Sequence, residues 1–293
     1  MRSHRPTVLL LISALCCVVL VATGCSMPTL AYRNAPTLIS WRAGSYFDLD
    51  PAQRAEFEQR LERVHAWHRR EELPRVIATL REARRRTDGE VSLADAKWLV
   101  GAVEDHYRKA AARTVDESAD LIPTLRPEQF ATLERKLADV DEEFVEEWID
   151  ASPEEIRDAR IERATKRAEE WLGRLDPAQR TWLRSRLDEI PIDYRAARAD
   201  RLRRQAEFLA LLRGDATATR TRMDSTAVVA PLKRWVVDWD HGRSPGELAR
   251  VARLIRDYSA LYVELINGAT QEQRDHLRGQ VDAYIDALSK QMP

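Results

Sequence analysis

From Pro51 onward, apolar residues recur at intervals of three and four, and short clusters of Pro, Gly, Asp or Ser interrupt them. That pattern predicts one amphipathic helix after another. Phe57, Leu61, Val64 and His68 share a face of a helix from about Pro51 to Arg70, which Leu73-Pro74 interrupts. A shorter helix then runs to Arg86 and stops at Thr87-Asp88-Gly89. Ser92 caps the next, whose stripe is Leu93, Ala96, Leu99 or Val100, Val103 and Tyr107, with Pro123 marking its far end. Further helices are expected over Pro127–Ile149, Pro153–Leu172, Pro177–Glu189, Pro191–Leu212 and Ser225–Asp240, with two more starting near Pro245 and Thr270. No stretch alternates with period two long enough to predict a strand.

Four helix starts share one pattern: Leu49-Asp50-Pro51-Ala52-Gln53, Leu125-Arg126-Pro127-Glu128-Gln129, Leu175-Asp176-Pro177-Ala178-Gln179 and Ala269-Thr270-Gln271-Glu272-Gln273. Asp or Thr can accept backbone N–H groups as N-cap, Pro suits the first helical position, and Gln three residues on completes a capping box. Arg126 departs from the pattern, so its start is expected to be the weakest. The unequal intervals argue against a regular solenoid and leave a decayed duplication of a helical hairpin open. In Pro153–Leu172 the apolar residues Ile161, Ala164, Ala168 and Trp171 form a narrow stripe among dense mixed charges, which suits a long antiparallel hairpin.

Composition narrows the class. The chain has 293 residues, of which 44% are hydrophobic and 32% charged, with only 10 Gly. Few glycines disfavour sandwiches, propellers and phosphate-cradling α/β folds. The expected fold is all-α, a multi-helix bundle of antiparallel hairpins. A formal net charge of −1 gives no basic surplus for nucleic acid.

The N-terminus reads as an address. Arg2, His4 and Arg5 precede an apolar run from Val8 to Ala22, as in a secretory signal peptide. Ala22-Thr23-Gly24-Cys25 resembles a lipobox, which implies cleavage before Cys25 and acylation of its thiol. Cys16 and Cys17 would leave with the signal, so Cys25 is the sole cysteine of the mature chain and no disulfide can form within it. Ser26, where Asp would retain a lipoprotein in the inner membrane, implies the periplasmic face of the outer membrane. Loss of Arg2 and Arg5 takes the 47 basic residues to 45 against 48 acidic, so membrane contact is expected through acyl chains and not a basic patch. The organisation is then a signal peptide over 1–24, a lipidated tether over 25–34, and a helical periplasmic domain over 35–293. The pattern permits two sub-bundles dividing near 150–175.

Tyr32, Leu38 to Trp41, Tyr46-Phe47-Asp48-Leu49 with Gln53, His65-Ala66-Trp67-His68-Arg69 followed by Glu72-Leu73-Pro74, and Trp171-Leu172-Gly173-Arg174-Leu175 with Gln179 resemble an uncharacterised family of proteobacterial lipoproteins defined by a domain of unknown function. The resemblance covers most of the mature chain and implies an exported helical lipoprotein, with no reaction attached. The Leu-x-x-x-Gln starts are also similar to the Leu-Thr-x-x-Gln motifs of the Spy and CpxP periplasmic stress proteins.

His65, His68, Arg69 and Glu72 form the compact polar candidate site: on a helix His65 and Glu72 lie within about 20° and His68 about 60° from His65. Two imidazoles and a carboxylate could hold zinc, but Arg69 works against a cation. The favoured reading is a buried His68 whose hydrogen bond fixes the packing of Trp67 and the Leu73-Pro74 turn. No metal and no cofactor is therefore assigned. The chain lacks G-x-S-x-G, H-E-x-x-H, P-loop and G-x-G-x-x-G motifs, so no catalytic residue is assigned either. Trp235 and Trp239, at i,i+4 spacing, and Trp41 and Trp98 read as packing groups or, where exposed, as grips for a partner. The expectation is a non-enzymatic interaction or structural module of the envelope with a protein partner. The alternative is a holdase-like chaperone that binds unfolded clients.

Overall fold

The computed structural model describes residues 32–213 and 225–293. The expected signal segment and Cys25 lie outside the described residues. Among these, the elements are α1 (Ala35–Phe47), α2 (Pro51–Trp67), a π-helical turn (His68–Glu72), α3 (Leu73–Arg86), α4 (Leu93–Ser118), a 3-10 turn (Ala119–Thr124) and α5 (Pro127–Trp148). They continue with α6 (Pro153–Leu172), α7 (Pro177–Asp188), α8 (Tyr194–Arg213), α9 (Ser225–Val237), α10 (Pro245–Asn267) and α11 (Gln271–Ser289). No strand occurs among the described residues, and the fold is the expected all-α bundle.

Two differences from the expected elements have local causes. Leu73-Pro74 does not interrupt the chain's helical path: α2 passes into α3 through the π turn, where the Leu73 N–H bonds to the His68 carbonyl five residues back. Proline lacks an N–H and its ring crowds the carbonyl of the preceding turn, and one widened turn absorbs both. Helix α8 begins at Tyr194 instead of Pro191, because Asp193 Oδ1 accepts the Ala196 N–H at 2.8 Å and so caps the helix there.

The four related helix starts meet in pairs. Asp50, Asp176 and Thr270 each accept the backbone N–H of the glutamine three residues on, at 2.9, 2.8 and 3.2 Å. Each glutamine side chain then reaches across to another helix start. Gln53 Nε2 donates to Gln129 Oε1 at 3.1 Å, and Gln129 Nε2 returns a bond to Gln53 Oε1 at 2.7 Å. Gln179 and Gln273 do the same, at 2.8 and 2.9 Å. The spare amide hydrogens land on equivalent carbonyls two residues before the partner's N-cap: Gln53 on Thr124, Gln129 on Asp48 and Gln273 on Arg174. Arg126, with donors alone on its side chain, cannot cap α5; it pairs with Asp50 Oδ2 at 2.6 Å instead. The motif is thus a clasp used twice, α2 with α5 and α7 with α11. Gly173, at φ +74°, ends α6 in a backbone region that L side chains rarely adopt and turns the chain toward the second clasp.

Two hydrophobic cores follow. One gathers Leu73 and Ile77 of α3, Ile161 and Leu172 of α6, Leu183 and Leu187 of α7, Leu261 and Leu265 of α10, and Leu277 and Ile285 of α11. The other gathers Tyr46, Tyr107, Val115, Leu133, Leu212 and Trp235, from α1, α4, α5, α8 and α9. The chain passes between the cores more than once, with Ile77 in the first, Tyr107 and Leu133 in the second, Ile161 in the first and Leu212 in the second. Helix α4 joins them, packing on α2 and α9 and also on α3 and α10.

Candidate functional site

Between the helices lies a cavity of about 1140 Å³. Its walls are Phe57, Leu61 and Val64 of α2, Trp98, Leu99 and Val103 of α4, and Ile255, Tyr258 and Tyr262 of α10, with Ile39 and Phe47 of α1 closing one side. The apolar stripe of α4 is only partly packed: Leu93 is 51% exposed, Leu99 and Val103 each 38%, and Ile255, across the cavity, 42%. Only farther along, at Tyr107, Ala111 and Val115, does the stripe become tightly buried. Helical periodicity marks a face that avoids charge; it does not distinguish a face packed by protein from one lining an open space. Leaving a large apolar side chain against water forgoes about 1.5–3 kcal/mol of burial, so a wall of them marks a place to bind something apolar.

Of the sequence-predicted polar residues, His65 and His68 line this cavity and Arg69 and Glu72 do not, and their hydrogen bonds separate into two networks. His68 Nδ1 shares a 2.7 Å hydrogen bond with the Tyr32 hydroxyl, and the His65 ring lies against the Tyr32 ring with centroids 5.1 Å apart. Burial pushes the Tyr32 phenol up, lowers His65, and brings His68 down to about 4. Both imidazoles are therefore mostly neutral at pH 7, and the hydrogen bond to His68 ties Tyr32 to the π turn. Glu72, fully buried, faces elsewhere: its Oε1 accepts from His106 Nδ1 at 2.5 Å and its Oε2 from Arg75 at 3.4 Å. Arg69 joins neither network through a hydrogen bond and donates instead to the Gln291 carbonyl at 2.6 Å, its charge still acting on Tyr32 and His65. The π turn explains the separation, since its i→i+5 hydrogen bond widens the turn and rotates Glu72 away from the register an α-helix would give it. No group of three metal-ligating side chains is assembled among the described residues.

Thr79 and His106 escaped the sequence reading. Thr79 Oγ1 bonds His106 Nε2 at 2.8 Å, and both residues line the cavity. Hydroxyl, imidazole and carboxylate stand in the order that nucleophilic enzymes use. The environment differs in the part that matters most for the transition state: Thr79 sits inside α3, where backbone N–H groups are engaged by the preceding turn and cannot cradle an oxyanion. What the arrangement does is pin α3 to α4 beside the cavity. No local signal could have found it, because His106 lies 34 residues from Glu72.

The tryptophans divide by environment. Trp235 is buried, stacked on Phe208 at 4.8 Å, and Trp239 meets Tyr107 edge-on. Arg204 lies over both rings and donates to the Trp235 and Trp239 carbonyls at the end of α9. Trp98 lines the cavity beneath the Arg86 guanidinium. Trp41 is 65% exposed.

The model of a family of unknown function, DUF6279, matches residues 45–239. The chain belongs to this family. No curated protein and no solved structure matches the chain. The DUF6279 span takes in the π turn, the Thr79–His106–Glu72 network, the first glutamine clasp and the α2 and α4 walls of the cavity. The opposite wall on α10 and the Gln273 half of the second clasp lie beyond it.

Proposed function

We propose that this DUF6279 member is a non-enzymatic, lipid-anchored binding module of the bacterial envelope, held through Cys25 at the periplasmic face of the outer membrane. Its cavity receives an apolar segment of an envelope protein. The observation that carries this reading is the apolar wall formed by Leu99, Val103 and Ile255, which the described residues leave partly exposed. An apolar segment laid against it removes that area from water at about 25 cal/mol per Å². The lipobox at Cys25 supports the anchor, and its Ser26 supports the outer membrane.

Crosslinking and pull-down of the mature lipoprotein from its native envelope tests the reading. A stoichiometric envelope partner is expected, lost in a Leu99→Asp, Val103→Asp variant that keeps its helical circular dichroism. Wild type and Thr79→Ala are expected to be equally inactive on short acyl esters. The holdase alternative draws on the same wall, which offers few hydrogen-bonding groups with which to select one sequence. Suppression of aggregation of an unfolded model protein at near-equimolar ratio, without a stoichiometric partner, would establish it in place of the first reading.

A further inference from the structure

Helix α1 has two faces of different character. Ala35, Ile39, Ala43 and Phe47 line the cavity. At 100° per residue, Asn34, Thr37, Leu38, Trp41 and Ser45 fall within about 100° of arc on the opposite side, and all five are exposed. None of them is charged, in a chain where 32% of residues are. Trp41 at 65% and Leu38 at 50% stand adjacent on this strip, and neither faces the cavity. Arg33 is exposed at the start of the helix.

We propose that this face of α1 docks on the surface of the phospholipid bilayer that holds the chain, with Trp41 and Leu38 inserted at the headgroup level. The inference rests on the reading of Cys25 as the anchor. From Cys25 to Tyr32 is seven residues, which reach at most about 25 Å when extended, so α1 is the described helix that the tether brings to the membrane first. An uncharged strip with one Trp and one Leu fits an interface where amphipathic rings collect, and a flanking Arg suits the phosphate layer. Asp139 and Glu143 of α5 lie near the Tyr46 end of α1 and place negative charge there. The contact is therefore to zwitterionic lipid through apolar groups, with no gain from anionic headgroups. One consequence is orientation: with its outer face on the bilayer, α1 holds the cavity directly above the membrane surface.

The test uses the full chain, processed in its bacterial host, reconstituted into phosphatidylcholine vesicles that carry bromine on the upper acyl carbons. Tryptophan emission is compared among wild type, Trp41→Phe and Trp98→Phe, and mass spectrometry of the same samples reads Cys25. Trp41→Phe is expected to abolish most of the quenchable emission, Trp98→Phe to leave it, and Leu38→Asp to reduce it several-fold with unchanged circular dichroism. Equal quenching in wild type and Trp41→Phe overturns the docking, as does quenching that follows Trp98. Unmodified Cys25 overturns the anchor separately, since the Trp41 difference is read in either case. Self-association that ends in Trp41→Ser, with no quenching, would assign the face to a second copy and overturn the proposal.

Discussion

The two glutamine clasps are built from the same five-residue pattern, and the protein treats them differently. In the first, Gln53 and Gln129 are both buried, at 7% and 2% exposure, and every amide hydrogen and oxygen is used. In the second, Gln273 is buried but Gln179 is only partly covered. The first also carries the Arg126–Asp50 ion pair in place of a cap at α5. A local motif therefore has no fixed worth: its contribution depends on how much water the surrounding helices exclude, because an amide that loses its partner in a dry site has nothing to replace it.

The contrast can be broken in graded steps. Gln129→Ala strands the buried Gln53 amide and should lower stability by about 2–3 kcal/mol in a urea melt. Acidification should produce an effect of comparable size away from the clasps. His68 has a folded pKa near 4 against 6.5 when exposed, so the unfolded chain binds its proton first. Stability is full above pH 6.5 and falls as the pH drops toward 4; a Tyr32→Phe, His68→Phe variant should flatten that part of the stability curve. Gln179→Ala should lower stability by only about 1 kcal/mol, since water can reach the Gln179 side of the clasp. An equal or larger loss than for Gln129→Ala would refute the comparison.

Smaller still is the charge on the first clasp. The Gln53 backbone N–H, and then Arg126, hold the Asp50 carboxyl below the usual carboxylate range. Its contribution is present above the ordinary carboxylate pKa and is lost as the pH falls through the depressed value, below the His68 window. Asp50→Asn should remove that acid-side slope and leave the slope between pH 6.5 and 4 intact. The smallest effect is expected for Arg126→Ala: an exposed pair contributes little, and its melting shift should shrink further in high salt.

The clasps also show how far local reading reaches. Asp50, Asp176 and Thr270 could be recognised as caps because a cap and its glutamine lie three residues apart, within one helical turn. The anomaly at Arg126 was visible for the same reason. That Gln53 would find Gln129, 76 residues away, and Gln179 find Gln273, 94 residues away, was not. The polar cluster shows the same limit: His65, His68 and Glu72 were legible as neighbours on a helix, but the π turn just before Leu73-Pro74 sent Glu72 to His106 and left His68 to Tyr32.

Taken alone, the order of residues determined what acts over a turn or two of chain: where helices begin, which of their faces avoid charge, which all-α class results, and membership in a family recognisable by short motifs. Tertiary packing alone decided which caps meet, which histidine faces which partner, and that the apolar stripe of α4 is partly exposed among the described residues before it becomes buried at Tyr107. The reason is that hydrogen bonds and helical periodicity are set by neighbours in sequence, whereas burial is a property of the whole assembly of helices and is known only once each has found its place.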